Sequence, residues 1–167
     1  MNRSDEKRHV LVTAASRHGA TEEIAQRIAE HLREDELVVV TSPPSSIPTV
    51  DEFDVVVLGS AVYAGHWMEE AKELAKRLAN TSPQPEVWLF SSGPLGDPPK
   101  PDVDPVDVAE VMAVTRARDH KVFAGRLDRT RLGIVENTVV AALKVPEGDF
   151  RDWEVIESWA KKIALSI

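Results

Sequence analysis

The sequence predicts an α/β fold in which a parallel sheet lies between two layers of helices. Short apolar runs, such as those at 10–12 and 55–58, are typical of strands that are covered on both faces. Segments with helical periodicity alternate with these runs, and neither a composition shift nor a repeat divides the chain. Right-handed crossovers between such strands place helices on both sides of the sheet.

Five strands and five helices follow from this pattern. We predict the strands at 10–12, 37–41, 55–58, 87–90 and 121–125. We predict the helices near 21–33, 68–78, 106–115, 132–143 and 153–167. Asp104 stands where it can cap the third helix, and the Pro- and Asp-rich segment at 97–105 is predicted to be a loop.

Length and composition narrow the class of protein. The 167 residues are enough for one domain, which we place at 9–167 after a flexible tail at 1–8. The net charge of −8 argues against general nucleic-acid binding, and the lack of cysteine excludes disulfides and thiolate chemistry. The charged start is unlike a signal peptide, and no apolar run approaches the ~20 residues that span a bilayer, so we expect a cytoplasmic location.

Several common catalytic and ligand-binding motifs are missing from the sequence. The five histidines show no metal-ligand spacing, and neither G-x-S-x-G nor H-E-x-x-H occurs. A Walker loop and the dinucleotide fingerprint G-x-G-x-x-G are also absent, so a nucleoside triphosphate or NAD is the less expected ligand. The sequence therefore supports neither a hydrolase nor a metal site.

The segment at 10–21, VLVTAASRHGAT, combines a strand, a tight loop and the start of a helix. Free N–H groups at a helix N-terminus point towards a bound anion, and the helix dipole favours negative charge there. Ser16 and Thr21 can add hydroxyl hydrogen bonds, and Gly19 permits close approach of the backbone. This segment predicts a phosphate site; the alternative is a plain turn in which Thr21 caps the helix.

Two further strands end in loops that are rich in small residues. These loops lie at 59–66 and 91–97, after the third and fourth predicted strands. Ligands of an open parallel sheet bind beyond the carboxyl ends of its strands, so we expect the three loops to converge on one ligand. Small residues let backbone groups reach the polar atoms of a planar ring, and Tyr63 and Trp67 offer faces for stacking.

The loop at 16–21 is similar to the phosphate loop T-x-T-G-x-T of flavodoxins, with His18 and Ala15 where hydroxyl residues are usual. The resemblance implies a three-layer α/β/α flavodoxin-like fold, a doubly wound five-stranded parallel sheet of order 2-1-3-4-5, and FMN as cofactor. More closely, the chain resembles the menaquinone-dependent protoporphyrinogen dehydrogenases and related flavodoxin-domain proteins. The matching pieces are SRHGATEEIA (16–25), VVVLGSAVYAGHW (55–67), VFAGRLD (122–128) and DFRDWEVIESWAKKIA (149–164).

The resemblance implies a role for each of the three loops. The first loop would hold the phosphate through Ser16, Arg17, His18, Gly19, Ala20 and Thr21. The second loop would line the isoalloxazine through Ser60, Ala61, Val62, Tyr63, Ala64 and Gly65. The third loop would close the other edge of the ring through Ser91, Ser92, Gly93, Leu95 and Gly96. The cofactor carries the redox step, so no catalytic acid–base pair is expected.

Three functions remain open at this point. The first is an oxidoreductase that passes electrons from a reduced tetrapyrrole through FMN to a quinone, in which case the protein works at the inner face of the membrane. The second is a flavodoxin-type carrier that docks protein redox partners through an acidic surface. The third is a flavodoxin fold that binds no flavin, which the residues at Ala15 and His18 keep open.

A local excess of basic residues at 116–131 suggests how a substrate is recognised. Porphyrinogens carry carboxylates, which arginine binds in a bidentate manner. We hypothesise that Arg126, Arg129 or Arg131 binds such carboxylates, with a solvated basic face as the alternative.

Two other features bear on the choice between an enzyme and a carrier. The third loop contains no aromatic residue, so we expect one flavin face to be open to a substrate, which favours an enzyme. The segment at 129–147 is longer than a simple connection and carries an apolar stripe that includes Leu132, Val135 and Val139. We expect this stripe to cover the core rather than to meet a membrane quinone or a partner.

Overall fold

A parallel sheet forms the centre of the molecule; a computed structural model describes residues 7–94, 104–143 and 147–167. In chain order its strands are β1 (His9–Ala15), β2 (Val38–Thr41), β3 (Val55–Tyr63), β4 (His66–Trp67), β5 (Glu86–Ser92) and β6 (His120–Phe123). The order across the sheet is β2-β1-β3-β5-β6, and the short β4 pairs antiparallel with the end of β3. When β4 is set aside, this is the predicted 2-1-3-4-5 order, which is confirmed.

Helices flank the sheet on both sides, as the alternating pattern predicts. Those in the described residues are α1 (Ala20–Arg33), α2 (Glu69–Ala79), α3 (Val108–Thr115), α4 (Ile134–Leu143) and α5 (Trp153–Ser166). On one face α1 contacts α5, and on the other α2 contacts α3. The three-layer α/β/α arrangement is therefore confirmed.

Each face of the sheet has its own apolar core because successive strand residues point to opposite sides. In β1, Val10 and Val12 belong to the cluster under α1 and α5, whereas Leu11 belongs to the cluster under α2 and α3. The two clusters bury both faces of β1, β3 and β5, which explains why these strands are almost continuously apolar.

The segment between β6 and α5, residues 124–152, is called the excursion below. Strand β7 (Arg126–Leu127) pairs antiparallel with strand β8 (Gly148–Asp149), and α4 lies between them in the chain. The Phe150 N–H donates to the Gly125 carbonyl oxygen at 3.0 Å, so the first and last residues of the excursion lie next to each other.

The start of the third helix differs from the expectation. Helix α3 begins at Val108, and the residue before it is Asp107, so Asp104 is not its cap. The Asp107 carboxylate accepts a hydrogen bond from the Trp67 N–H at 3.0 Å instead of capping its own helix. The fifth parallel strand also ends at Phe123, two residues earlier than predicted.

The apolar stripe of α4 does not cover the core, so that expectation is wrong. Ile134, Val135 and Val139 are 88%, 77% and 51% exposed, respectively. None of the α4 residues that the structure describes belongs to either apolar core cluster of the sheet. Helix α4 therefore lies at the carboxyl edge of the sheet, where it contributes to the site described below.

A buried hydrogen-bond chain joins the ends of β4, β5 and β6. The indole N–H of Trp67 donates to Ser91 Oγ at 2.8 Å, and Ser91 Oγ lies 2.7 Å from His120 Nε2. Ser91 Oγ accepts from the indole, and its hydroxyl hydrogen can be donated to Nε2 when the imidazole proton is on Nδ1. Burial lowers the pKa of His120 below its ordinary value of 6.5.

Acidification is expected to weaken the fold through His120. Its folded-state pKa lies below the unfolded-state value, so the unfolded chain binds more protons in the interval between the two values. The free energy of unfolding should therefore fall as the pH drops from 7 through 6.5. Urea titrations at about pH 7 and about pH 5 should show a larger loss for the wild type than for His120→Gln, which does not titrate. Equal losses would contradict this assignment.

Candidate functional site

The loop between β1 and α1 places a helix N-terminus at the carboxyl edge of the sheet. Gly19 precedes the helix with a φ of +89°, and its N–H donates to Ser16 Oγ at 2.9 Å. The helix starts at Ala20, so Thr21 lies within its first turn and is not the cap. Amides of a first helical turn have no acceptor within the helix, and this loop therefore presents hydrogen-bond donors to an anion.

The strand register brings the three small-residue loops together. Ala15 pairs with Ser60, and Ala61 pairs with Ser92 in the next strand. Because the strands are parallel, their carboxyl ends and the loops that follow them lie at one edge of the sheet. In the described residues, the strand ends that lead into the three loops therefore lie side by side, and their convergence on one ligand stays a prediction.

A cavity of about 380 Å³ lies at this edge, between the loops and α4. The predicted site residues in its wall are Ser16, Arg17, His18, Ala20, Thr21, Ala61, Val62, Tyr63, Ser92, Gly93 and Arg126. The rest of its wall comes from the excursion after β6, namely Gly125, Leu127, Val135, Glu136, Val139 and Val140. The volume is within the range of small-molecule and cofactor sites, about 300–1,000 Å³.

Two predicted hydroxyl residues lie beneath the cavity and not in its wall. Ser60 is fully buried, and its Oγ donates to the Ala61 carbonyl at 2.8 Å and accepts from the Met68 N–H at 2.9 Å. Ser91 is also fully buried and belongs to the hydrogen-bond chain described above. Both hydroxyls hold the strand ends that support the site.

Tight backbone geometry accounts for other positions in the second and third loops. Ala64 and Gly65 form the turn between β3 and β4, with φ values of +51° and +80°. A Cβ on Gly125 would lie 3.1 Å from the Gly93 Cα, so glycine lets these two segments approach backbone to backbone. Two predicted residues of the third loop lie outside the described residues: Leu95 and Gly96.

Of the two aromatic residues expected to stack on a ligand, one lines the cavity. The Tyr63 ring is part of the wall, with the Arg17 guanidinium 4.5 Å from its centroid, and burial raises the pKa of its phenol. Trp67 is 3% exposed in the core under α2, so its expected stacking role is wrong.

Arginine side chains from the excursion support the first loop. Arg126 donates to Glu23 Oε2 at 2.9 Å and to the His18 carbonyl at 3.5 Å. Arg131 donates to the same His18 carbonyl at 3.2 Å, whereas Arg129 bonds within the excursion itself. Of the three arginines considered for substrate carboxylates, Arg126 lines the cavity.

The sequence analysis missed a fourth arginine, which lies behind the first loop. The Arg151 side chain is 5% exposed and donates to Glu23, to Asp149 at 2.7 Å and to the Ala20 carbonyl at 3.3 Å. Burial raises the pKa of Glu23, but the hydrogen bond from Arg151 and the charge of Arg126 outweigh it and lower that pKa. The network therefore holds Glu23 ionised under the start of α1.

A carboxylate from α4 lies close to two basic side chains of the first loop. Glu136 Oε2 lies 2.8 Å from His18 Nε2 and 4.0 Å from Arg17 Nη1. The hydrogen bond from His18 lowers the pKa of Glu136, so this carboxylate is ionised at neutral pH. The contact shows that the loop accommodates negative charge. Sequence reasoning missed Glu136 because α4 was expected to cover the core.

The donor set and the shape of the cavity fit a singly phosphorylated flavin. The first loop contributes amides, a hydroxyl and the side chains of Arg17 and His18, where Glu136 now supplies the anion. The rest of the wall includes apolar side chains, among them Val62, Leu127 and Val139, against which a flat ring can pack.

The comparison with protein families agrees with this geometry. Residues 11–153 match the family model described as a flavodoxin domain. The chain belongs to the flavodoxin domain family. A flavodoxin domain implies a flavin cofactor, typically FMN, and a redox function of the flavodoxin type.

Solved structures share the flavodoxin fold at low sequence identity. The flavodoxin of Streptococcus pneumoniae TIGR4 matches with a TM-score of 0.63 and 20% identity, over 95% of this chain and 99% of that chain. Oxidised flavodoxin 2 of Bacillus cereus matches with a TM-score of 0.62 and 18% identity, over 96% and 99%. Rubredoxin oxygen:oxidoreductase of Desulfovibrio gigas matches with a TM-score of 0.63 and 15% identity. The match covers 97% of this chain but 37% of that longer chain.

Two further searches gave negative results. No curated protein sequence matches this chain. Among residues 7–94, 104–143 and 147–167, no helix has both the length and the apolar character that crossing a membrane requires.

Proposed function

We propose that this flavodoxin domain binds FMN in the cavity at the carboxyl edge of its sheet and works as a redox protein through that cofactor. The observation that carries the proposal is the mixed wall of the cavity, which combines the hydrogen-bond donors of the first loop with aliphatic side chains of the second loop and of α4. FMN likewise combines a phosphate with a flat ring, and when bound it supplies one- and two-electron transfer.

The chain would hold the two ends of FMN in different ways. Ser16, His18 and the amides of the first turn of α1 would bind the phosphate. Backbone groups of the second and third loops, around Ala61 and Gly93, would contact the polar edge of the ring. Val139 and its neighbours on α4 would cover the ring from outside, where many such sites use an aromatic side chain.

FMN titration of the apoprotein tests this proposal. We expect saturable one-to-one binding with quenching of flavin fluorescence. Val139→Glu should weaken binding about tenfold or more, because it places a charge in the apolar wall beside the ring. Val114→Glu is the matched control, since Val114 and Val139 are helical valines that are 40% and 51% exposed, but Val114 is on α3.

The two variants separate site binding from general effects. Val114→Glu should leave FMN affinity within about twofold of the wild type, because exposed substitutions rarely change more than local solvation. Absence of one-to-one FMN binding by the wild type would overturn the proposal. Equal weakening by both variants would place FMN somewhere other than the cavity.

The resemblance to menaquinone-dependent protoporphyrinogen dehydrogenases supports a finer candidate, an oxidoreductase that delivers electrons from a reduced tetrapyrrole to a quinone. The observation in its favour is the exposed apolar surface of Ile134 and Val135 at the mouth of the cavity, with Arg131 nearby in the same excursion. A flat apolar substrate with carboxylates matches that combination.

Anaerobic turnover distinguishes this candidate from an electron carrier. The enzyme would oxidise protoporphyrinogen when menaquinone is supplied, and Arg126→Ala or Arg131→Ala would raise the Michaelis constant for the carboxylated substrate. Electron exchange with a protein redox partner, without quinone-dependent turnover, would support the carrier and reject the dehydrogenase.

A further inference from the structure

Helix α4 and the first loop are joined by a hydrogen bond between two side chains. The hydrogen bond from His18 Nε2 to Glu136 Oε2, 2.8 Å long, links positions that are 118 residues apart in the chain. The Glu136 side chain is 35% exposed and that of His18 is 23% exposed, so the pair lies at the mouth of the cavity. The Arg17 guanidinium lies 4.0 Å from the same oxygen.

A ligand phosphate would need the same partners. His18 and Arg17 both line the cavity, next to the amides that begin α1. Carboxylates and phosphates both accept hydrogen bonds from such N–H donors, and these bonds are stronger than bonds to neutral acceptors. Two anions that share one donor repel each other, and the repulsion is stronger at a partly buried site than in bulk water.

We propose that the Glu136 carboxylate competes with the ligand phosphate for His18 and Arg17, and so reduces the preference of the site for phosphorylated over unphosphorylated flavins. A phosphorylated ligand displaces this carboxylate before it gains His18 and Arg17 as hydrogen-bond donors. A ligand that ends in a neutral hydroxyl leaves the Glu136 contact in place and is unaffected by it. The inference rests on the proposed FMN site.

Replacement of the carboxylate by an amide isolates the charge. Glu136→Gln keeps the size of the side chain, and its amide oxygen still accepts from His18, so α4 stays attached to the loop. FMN affinity should rise about five- to tenfold, because the competing charge is gone. Riboflavin affinity should stay within about twofold, since this ligand has no phosphate.

Glu52→Gln is the matched control for the change in net charge. Glu52 is an exposed residue of the turn before β3, at the amino end of the strands and away from the cavity edge. This variant should leave the dissociation constants for both flavins at their wild-type values. Fluorescence titrations of the wild type and the two variants with both flavins give the complete comparison.

The outcomes distinguish this inference from the proposed function. A parallel change in FMN and riboflavin affinity for Glu136→Gln would overturn the inference, because it would assign Glu136 to the ring or to the packing of α4. An unchanged FMN affinity would overturn it as well. If neither flavin binds to the wild type or to the variants, the proposed function itself fails.

Discussion

Phe90→Ala is expected to lower the free energy of unfolding by about 3–5 kcal/mol. Phe90 is fully buried in β5, and its ring centroid lies 5.8 Å from that of Phe123 and 6.0 Å from that of Trp159. Loss of the ring would leave a void between the sheet and α5, because close-packed neighbours fill such a space only in part. Urea unfolding followed by circular dichroism measures the cost.

The same ring explains a glycine in the adjacent strand. A Cβ on Gly59 would lie 2.1 Å from the Phe90 Cζ, which leaves no room for any larger residue. Gly59→Ala alone should therefore cost about 1–3 kcal/mol. In the Phe90→Ala background the steric clash is absent, so the same substitution should be nearly neutral. Additive costs in this double-mutant cycle would contradict the assigned contact.

Gly19→Val is expected to weaken FMN binding about tenfold or more, by changing the shape of the phosphate loop. The φ of +89° at Gly19 is unfavourable for residues with a Cβ, at a cost of about 1–2 kcal/mol, and more for a β-branched side chain. Space is not the obstacle, because the nearest atom to an added Cβ, Arg131 Nη1, would be 3.6 Å away. Flavin fluorescence titration measures the loss.

Gly19→Asn provides the comparison for this loop. Asparagine accepts left-handed backbone angles more readily than valine does, so its FMN affinity should lie between those of the wild type and Gly19→Val. The urea midpoint of each apoprotein shows how much of the effect is a loss of stability. Equal FMN affinity for the wild type and Gly19→Val would show that the conformation of this residue does not shape the binding loop.

The sheet was predictable because its central strands obey a strong constraint. A strand that is buried on both faces must be apolar at successive positions, and 10–12 and 55–58 meet that condition over their whole length. The amphipathic stripes of α1 and α2 were equally informative, because each has one buried face. Element ends were less predictable, as Asp107 in place of Asp104 before α3 shows.

The sequence predicted the part of the candidate site that a single loop forms, at 16–21, but not the contacts between distant segments. The anion-binding loop follows a strand directly, so its position at the sheet edge follows from the order of elements. The side on which a strand-end hydroxyl points depends on tertiary packing, and Ser60 and Ser91 turned out to be buried beneath the cavity. The contact between His18 and Glu136 depends on how the excursion folds back, which no local pattern encodes.

The two ends of the excursion are held together by a few backbone hydrogen bonds. Two short antiparallel strands and the hydrogen bond from the Phe150 N–H to the Gly125 carbonyl hold its two ends together. The pairing of β5 with β6 uses residues that precede the excursion, so it does not depend on the number of residues between β7 and β8. The chain between β7 and β8 can therefore differ in length without a change in the register of the sheet, whereas a change at Arg126, Arg131 or Glu136 would alter the first loop as well.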